Sequence, residues 1–220
     1  MRTIAVFSFA RCGSTNLMGL LASQGARMFF EPFSPIFKNK PYKLLQEDGL
    51  ASALDWMEAG YDGFKHLSFH LGEEQNLELL RRCRTVFLHR KDLVGCAISL
   101  ALARATRVYK RTAMPESYLE CRVRLKPESV LEIAEGARAH LRYLDVLGEA
   151  HVVSYEELYA ESTKEEAVRS VLEFCGLKLV DDGGARWFTD GRHKLNPDLR
   201  ERVENYDELL EFLRDKIHSL

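Results

Sequence analysis

Residues 2–17 read Arg2-Thr3-Ile4-Ala5-Val6-Phe7-Ser8-Phe9-Ala10-Arg11-Cys12-Gly13-Ser14-Thr15-Asn16-Leu17. An apolar run meets a turn of small and polar residues at 10–16, and a second apolar run, Leu17-Met18-Gly19-Leu20-Leu21, follows at once. The pattern predicts a strand, a tight loop and a helix over 14–23. A loop feeding a helix N-terminus points several backbone N–H groups at one spot, and the helix dipole adds partial positive charge there. Gly13 lets the backbone turn and approach a ligand closely. Arg11 adds a fixed charge and a planar donor fork, and Ser14 and Thr15 add hydroxyls. Such a constellation suits a phosphate or a sulfate. It equally describes a plain strand–turn–helix in which Ser14 is an N-cap.

The loop that binds nucleoside triphosphates ends in Gly-Lys-Ser/Thr, with Lys on the outer phosphates and the hydroxyl on Mg²⁺. Here no Lys follows Gly13, and the cation, Arg11, precedes it. That order disfavours a triphosphate with Mg²⁺. Composition narrows the classes further. A chain of 220 residues is long enough for one good-sized core and is expected to form one domain, 1–220. The formal charge of −2 gives no basic field for nucleic acid. Five scattered cysteines without a Cys-x-x-Cys argue against a disulfide framework or a zinc knuckle and fit a reducing cytoplasm. No apolar stretch approaches ~20 residues, so no membrane span is expected, and the strand-like start lacks a signal-peptide core.

Further along, Arg27 to Phe33 (RMFFEPF) is a short strand broken by Pro32, with Glu31 at its end. Ligands of open α/β sheets bind at strand C-termini, so Glu31 is a candidate general base; a surface Glu at a turn has the same sequence. Residues 34–49 look like a polar surface excursion or a substrate-facing lid, and 50–59 look helical. Gly63 to Leu67 is a buried strand carrying Lys65 and His66, with His70 just beyond. Imidazole has the right ordinary pKa for proton transfer near neutrality, although a structural histidine pair is the alternative. Residues 85–90 (TVFLHR) form another strand run, followed by a long helical pattern from Asp92. Arg90 then sits at a strand C-terminus and Ser99 roughly two and a half turns into the helix. Both can face the crevice of the first loop and hold a second phosphate; capping of the sheet edge and simple burial would explain them too. The basic run 104–126 could meet an anionic acceptor or a second subunit, or be a solvated face. A helix with a capping box is predicted from Ser129, another strand at 150–154, helices over 163–175 and about 198–217.

FARCGSTNLMGLL (9–21) resembles the 5′-phosphosulfate loop of sulfotransferases, PRSGSTxL: Arg11, Gly13, Ser14, Thr15 and Leu17 match, while Ala10 and Cys12 depart from it. FLHRKDLVGCAISLALA (87–103) resembles the family's 3′-phosphate motif in its bacterial trehalose-type form, LxRRDxxxQAxSxxxA, with Arg90, Asp92, Ala97, Ser99 and Ala103 in matching places and Cys96 where Gln is usual. FFEP (29–32) is similar to the acidic stretch of carbohydrate sulfotransferases, whose Glu is regarded as the base. Lys65-His66-Leu67 resembles the Lys-x-His-Leu of cytosolic members at a spacing one residue shorter, and HVVSYEELY (151–159) is similar to a structural segment of the family.

The resemblance implies an α/β fold with a mostly parallel central sheet flanked by helices, of P-loop-like sulfotransferase type. It implies a donor, 3′-phosphoadenosine 5′-phosphosulfate (PAPS), leaving 3′,5′-diphosphoadenosine (PAP), held by Arg11, Cys12, Gly13, Ser14, Thr15, Asn16, Arg90 and Ser99. A late loop with Arg192, His193 and Lys194 would close over it, and Trp187 or Phe188 would stack on adenine or join the core. Glu31 is then the first choice as base, His66 the second and His70 the third, with Lys65 and Arg11 as cations and no metal required. The acceptor would be a hydroxyl of a small molecule or carbohydrate, with a homodimer open. A P-loop small-molecule kinase and a non-catalytic phosphoadenosine-binding protein are the rivals.

Overall fold

The computed structural model describes residues 2–109, 121–179, 188 and 198–217. Trp187, Arg192, His193 and Lys194 lie outside the described residues, as does 110–120 of the basic run. Among the described residues, five strands form one parallel sheet: β1 (Ile4–Ser8), β2 (Met28–Phe30), β3 (Gly63–Leu67), β4 (Arg84–His89) and β5 (Ala150–Ser154), in the order β2-β3-β1-β4-β5. The helices are α1 (Ser14–Ser23), α2 (Lys40–Gly60), α3 (Glu73–Arg82), α4 (Leu93–Thr106), α5 (Pro127–Leu141), α6 (Tyr155–Tyr159), α7 (Lys164–Cys175) and α8 (Tyr206–Ile217). This is the α/β class with a parallel sheet that the alternation of apolar strands and helices predicts.

Successive side chains of a strand leave opposite faces. Ile4 and Val6 of β1 join an apolar layer with Leu17, Leu20 and Leu21 of α1 and Ala97, Ile98 and Ala101 of α4. Ala5 and Phe7 join the other layer, with Ala53, Leu54 and Met57 of α2 and Leu79 and Leu80 of α3. Phe7, Phe64 and Phe87 are fully buried there, each contributing about 1.5–3 kcal/mol by leaving water. Register carries the sorting across the sheet: Val6 pairs with Lys65 and Phe7 with His66. Lys65 and His66 therefore leave β3 on opposite faces.

Several boundaries differ from expectation. The polar stretch expected to be loop or lid is helical from Lys40, because Asn39 caps it by accepting from the Tyr42 N–H at 3.2 Å and Pro41 stands in its first turn. Gly49, at φ 87°, breaks that helix before the expected 50–59 segment. α5 starts at Pro127 rather than at a Ser129 cap. The capping box lies elsewhere: Ser154 and Glu157 cap α6 reciprocally. α8 begins at Tyr206, and the segment before it is tied to 123 by a Val123–Val203 bridge. Among the described residues no helix is long and apolar enough to cross a membrane.

Candidate functional site

β1 lies between β3 and β4, so its C-terminal end opens where the chain's path through the sheet reverses, the place at which open α/β sheets hold ligands. The loop after β1 is forced into an unusual shape. Arg11 has φ 65° and Gly13 φ 86°. Gly13, not Ser14, occupies the cap of α1: its carbonyl accepts from the Asn16 and Leu17 N–H groups at 3.0 and 3.1 Å, and no side chain caps the helix. A cap by Ser14 is thereby overturned. A Cβ on Gly13 would sit 3.1 Å from Tyr159 Cε2 and 3.3 Å from Tyr155 Cδ2. These two rings of α6 stack at 4.3 Å and wall the loop, and Asn16 Nδ2 donates to Tyr159 Oη at 2.5 Å.

Arg11 and Ser99 meet directly, Nε donating to Oγ at 3.0 Å, and Arg11 also donates to the Tyr109 carbonyl at 3.2 Å. Ser99, expected with Arg90 to face the crevice of the first loop, meets that loop at Arg11, because β4 pairs directly with β1 and brings α4 over the loop. Arg90 lies over the Tyr155 ring, 4.6 Å from its centroid, and donates to Asp92 Oδ2 at 3.1 Å. Its Nε is buried with no hydrogen-bond partner among the described residues. Asp92 caps α4 through the Gly95 N–H at 2.8 Å, and the Glu156 carboxylate accepts from the Lys91 and Asp92 N–H groups at 3.0–3.1 Å. Both arginines lower the pKa of Tyr155, whose burial more than offsets them and holds its phenol up. Cys12 and Cys96 are 2% and 1% exposed and lie against the same Ala10 carbonyl.

On the α1 face of β3, Lys65 Nζ bonds to both Glu31 Oε1 and Thr15 Oγ1, the latter at 3.3 Å. Lys65 also stands over the Phe30 ring at 4.5 Å, a cation–π contact. Both partners are nearly enclosed, with side chains 5% and 11% exposed. Glu31 adopts φ 47°, held by its N–H on the Lys65 carbonyl at 3.0 Å and by its own carbonyl accepting from Ser34 N. A non-glycine residue at positive φ persists only where its surroundings dictate it, and such residues cluster at working sites. His70 Nε2 lies 4.0 Å from Glu31 Oε2. Burial lowers the pKa of His70, with Glu31 opposing.

His66 does not join this group, and the expectation that it serves as second-choice base is corrected. It leaves β3 on the other face, is fully buried between Phe7 and Phe33, and its Nε2 is engaged by Asn76 Oδ1 at 2.9 Å. Burial drives its pKa down to about 3, so the ring is a neutral core group. Of the other expected donor-site residues, Arg11, Cys12, Gly13, Ser14, Thr15, Asn16 and Ser99 share the loop and its flank, and Arg90 reaches the same tyrosine wall. Phe188 is buried against Tyr159, centroids 5.2 Å apart and edge-on. Tyr155, Tyr159 and Glu156 were missed as site components. Their signal was the capped Ser154-x-x-Glu157 turn at the end of a strand, which fixes where a short helix points its first residues.

No protein-family model matches the chain, and no curated protein matches it in sequence. Similar solved structures include the shikimate kinase from Bacteroides thetaiotaomicron, at 14% identity and a TM-score of 0.44 over 80% of this chain and 100% of that one. They also include mouse sulfotransferase SULT7A1 complexed with PAP, at 13% identity and a TM-score of 0.45 over 84% of this chain and 62% of that one.

Proposed function

We propose that the protein is a sulfotransferase that moves a sulfuryl group from PAPS to a hydroxyl of a small-molecule or carbohydrate acceptor. The observation that carries this reading is the bridge made by Lys65, which ties Thr15 in the first turn of α1 to the Glu31 carboxylate. An anion loop and a proton acceptor are thus held against each other by one buried cation. Fit to the donor is supported by the cradle at Gly13, where a Cβ would strike the tyrosine wall, and by the unpartnered, buried Nε of Arg90.

Arg11 and the backbone of 13–16 would hold the 5′ end of the donor, and Arg90 the 3′-phosphate, with Tyr155 stiffening the guanidinium. When bound, the donor supplies the sulfuryl group, whose sulfur gains a bond to the acceptor oxygen as its bond to the phosphate oxygen breaks. Glu31 Oε2, the oxygen on the His70 side, receives the acceptor's proton. Lys65 and Arg11 place fixed positive charge where negative charge develops on the leaving oxygens. His70 Nε2 stands 4.0 Å from Oε2, beside the oxygen assigned the proton.

The test is calorimetric titration with PAP beside ATP·Mg²⁺. Micromolar binding of PAP and none of ATP·Mg²⁺ supports the donor site. The reverse removes it in favour of a kinase, and binding of neither means that Arg11 and Arg90 do not serve one ligand.

A further inference from the structure

The stretch that follows Glu31 carries an apolar tip on a pinned base. The Glu31 carbonyl accepts from the Ser34 N–H at 3.2 Å and from Asn39 Nδ2 at 3.4 Å, so both limbs of the loop are tied at one atom. The Ser34 carbonyl in turn accepts from the Lys38 N–H at 3.4 Å. Phe33 and Ser34 at the base are fully buried. The next two apolar residues go the other way. Ile36 is 82% exposed, the most exposed large apolar side chain among the described residues, and Phe37 is 52% exposed although its ring leans on Phe30 at 5.6 Å.

Charge beside the tip is of one sign. Lys38 follows Phe37 directly, and Lys40 and Lys43 lie three residues apart on the first turn of α2, where they are neighbours on the helix surface. All three are exposed. No Asp or Glu occurs from 32 to 46, in a chain whose net charge is −2. Among the described residues none of the three lysines pairs with a carboxylate, and Lys40 stands over the Trp56 ring at 5.3 Å. We propose that residues 35–43 dock the protein on an anionic bilayer surface. Ile36 and Phe37 enter the boundary between headgroups and acyl chains, and Lys38, Lys40 and Lys43 meet the anionic headgroups.

The combination selects this occupant over a protein. Apolar side chains interleaved with lysine are what an interfacial anchor requires, since the first enter the acyl boundary while the second stay at headgroup level. Protein–protein interface cores are instead depleted in lysine. A second copy meeting this patch across a two-fold axis would set three lysines against the same three. Each lysine near an anionic surface is worth about fivefold in binding, so three together give about 10²-fold. The pinned base matters as well: a tip already tied at the Glu31 carbonyl has less freedom to lose on docking.

The experiment sediments the full-length chain with vesicles of phosphatidylcholine alone and of a phosphatidylcholine–phosphatidylglycerol mixture. The expected result is binding about 10²-fold tighter to the mixture, with most of that difference lost at about 1 M salt. Ile36→Ser/Phe37→Ser and Lys38→Gln/Lys43→Gln should each weaken binding to the mixture about tenfold or more. These side chains are exposed, and an unchanged urea midpoint checks that each variant folds as the parent does. Phe37→Trp gives a readout that removes nothing: brominated acyl chains should quench its emission beyond the quenching of the parent. Equal binding to the two vesicles, binding unaltered in Ile36→Ser/Phe37→Ser, or no added quenching in Phe37→Trp overturns the proposal. A dimer in lipid-free solution that Ile36→Ser/Phe37→Ser abolishes would give the tip to a second copy and overturn it too. No nucleotide enters the assay, so the outcome is independent of what the loop after β1 binds.

Discussion

Replacing Gly13 by Ala isolates what the loop demands. Its φ of 86° lies in the left-handed region, where a side chain costs about 1–2 kcal/mol. The added Cβ would lie 3.1 Å from Tyr159 Cε2, 3.3 Å from Tyr155 Cδ2 and 3.4 Å from Tyr159 Oη. Neither ring yields easily: they stack on each other, Tyr159 is pinned by Asn16, and Arg90 covers Tyr155. Overpacking of this kind costs about 1–3 kcal/mol, so the total is about 2–5 kcal/mol. Gly25 is the control. It has φ 95°, and nothing lies within 4 Å of its Cβ position, so Gly25→Ala bears only the backbone cost of about 1–2 kcal/mol. Urea unfolding of the two variants at constant m measures the difference, and PAP titration checks that only the Gly13 change weakens binding. Equal destabilisation to within about 0.5 kcal/mol would refute the tyrosine wall.

Three more outcomes follow from the site and the core beneath it. Glu31→Gln keeps shape and loses the proton acceptor, so transfer to a hydroxyl acceptor should drop about 10²–10⁴-fold with PAP binding retained; turnover within a few-fold of the parent would reassign the base. Lys65→Met leaves the buried Glu31 carboxylate without its cation and should lower stability by about 3–5 kcal/mol, much of it recovered in the Glu31→Gln/Lys65→Met double variant; additivity of the two changes in urea unfolding would count against the pair. His66 and His140 are both lowered to about 3 by burial. From about pH 6.5 down to about 3 the unfolded chain therefore binds two protons that the native state refuses, and stability falls by about 1.4 kcal/mol per pH unit for each, about 4 kcal/mol between pH 7 and 5. Unfolding free energies that agree at those two pH values would show that the rings are not buried neutral, and His140→Phe should remove half of the slope.

How far the sequence reaches depends on the range of the interaction. β1, the loop and α1 were legible because each signal is local: an apolar run, small residues at the turn, a second run at helical spacing. Glu31 was legible as a strand-end carboxylate, since an apolar run stopped by Pro32 has little choice of boundary. What was not legible is non-local. Ser99 was read, with Arg90, as able to face the first loop; that its partner there is Arg11 follows from the pairing of β4 with β1, which sets where α4 packs. The tyrosine wall comes from pairing of β5 with β4, which no spacing within the chain reveals. The His66 error has a different cause: a period of two residues already sends neighbouring side chains to opposite faces, so Lys65 and His66 could not both serve one site. Deciding between them required the face on which α1 lies. Thr15 settles that by reaching Lys65, and the same contact that excludes His66 brings Glu31 within reach of the loop.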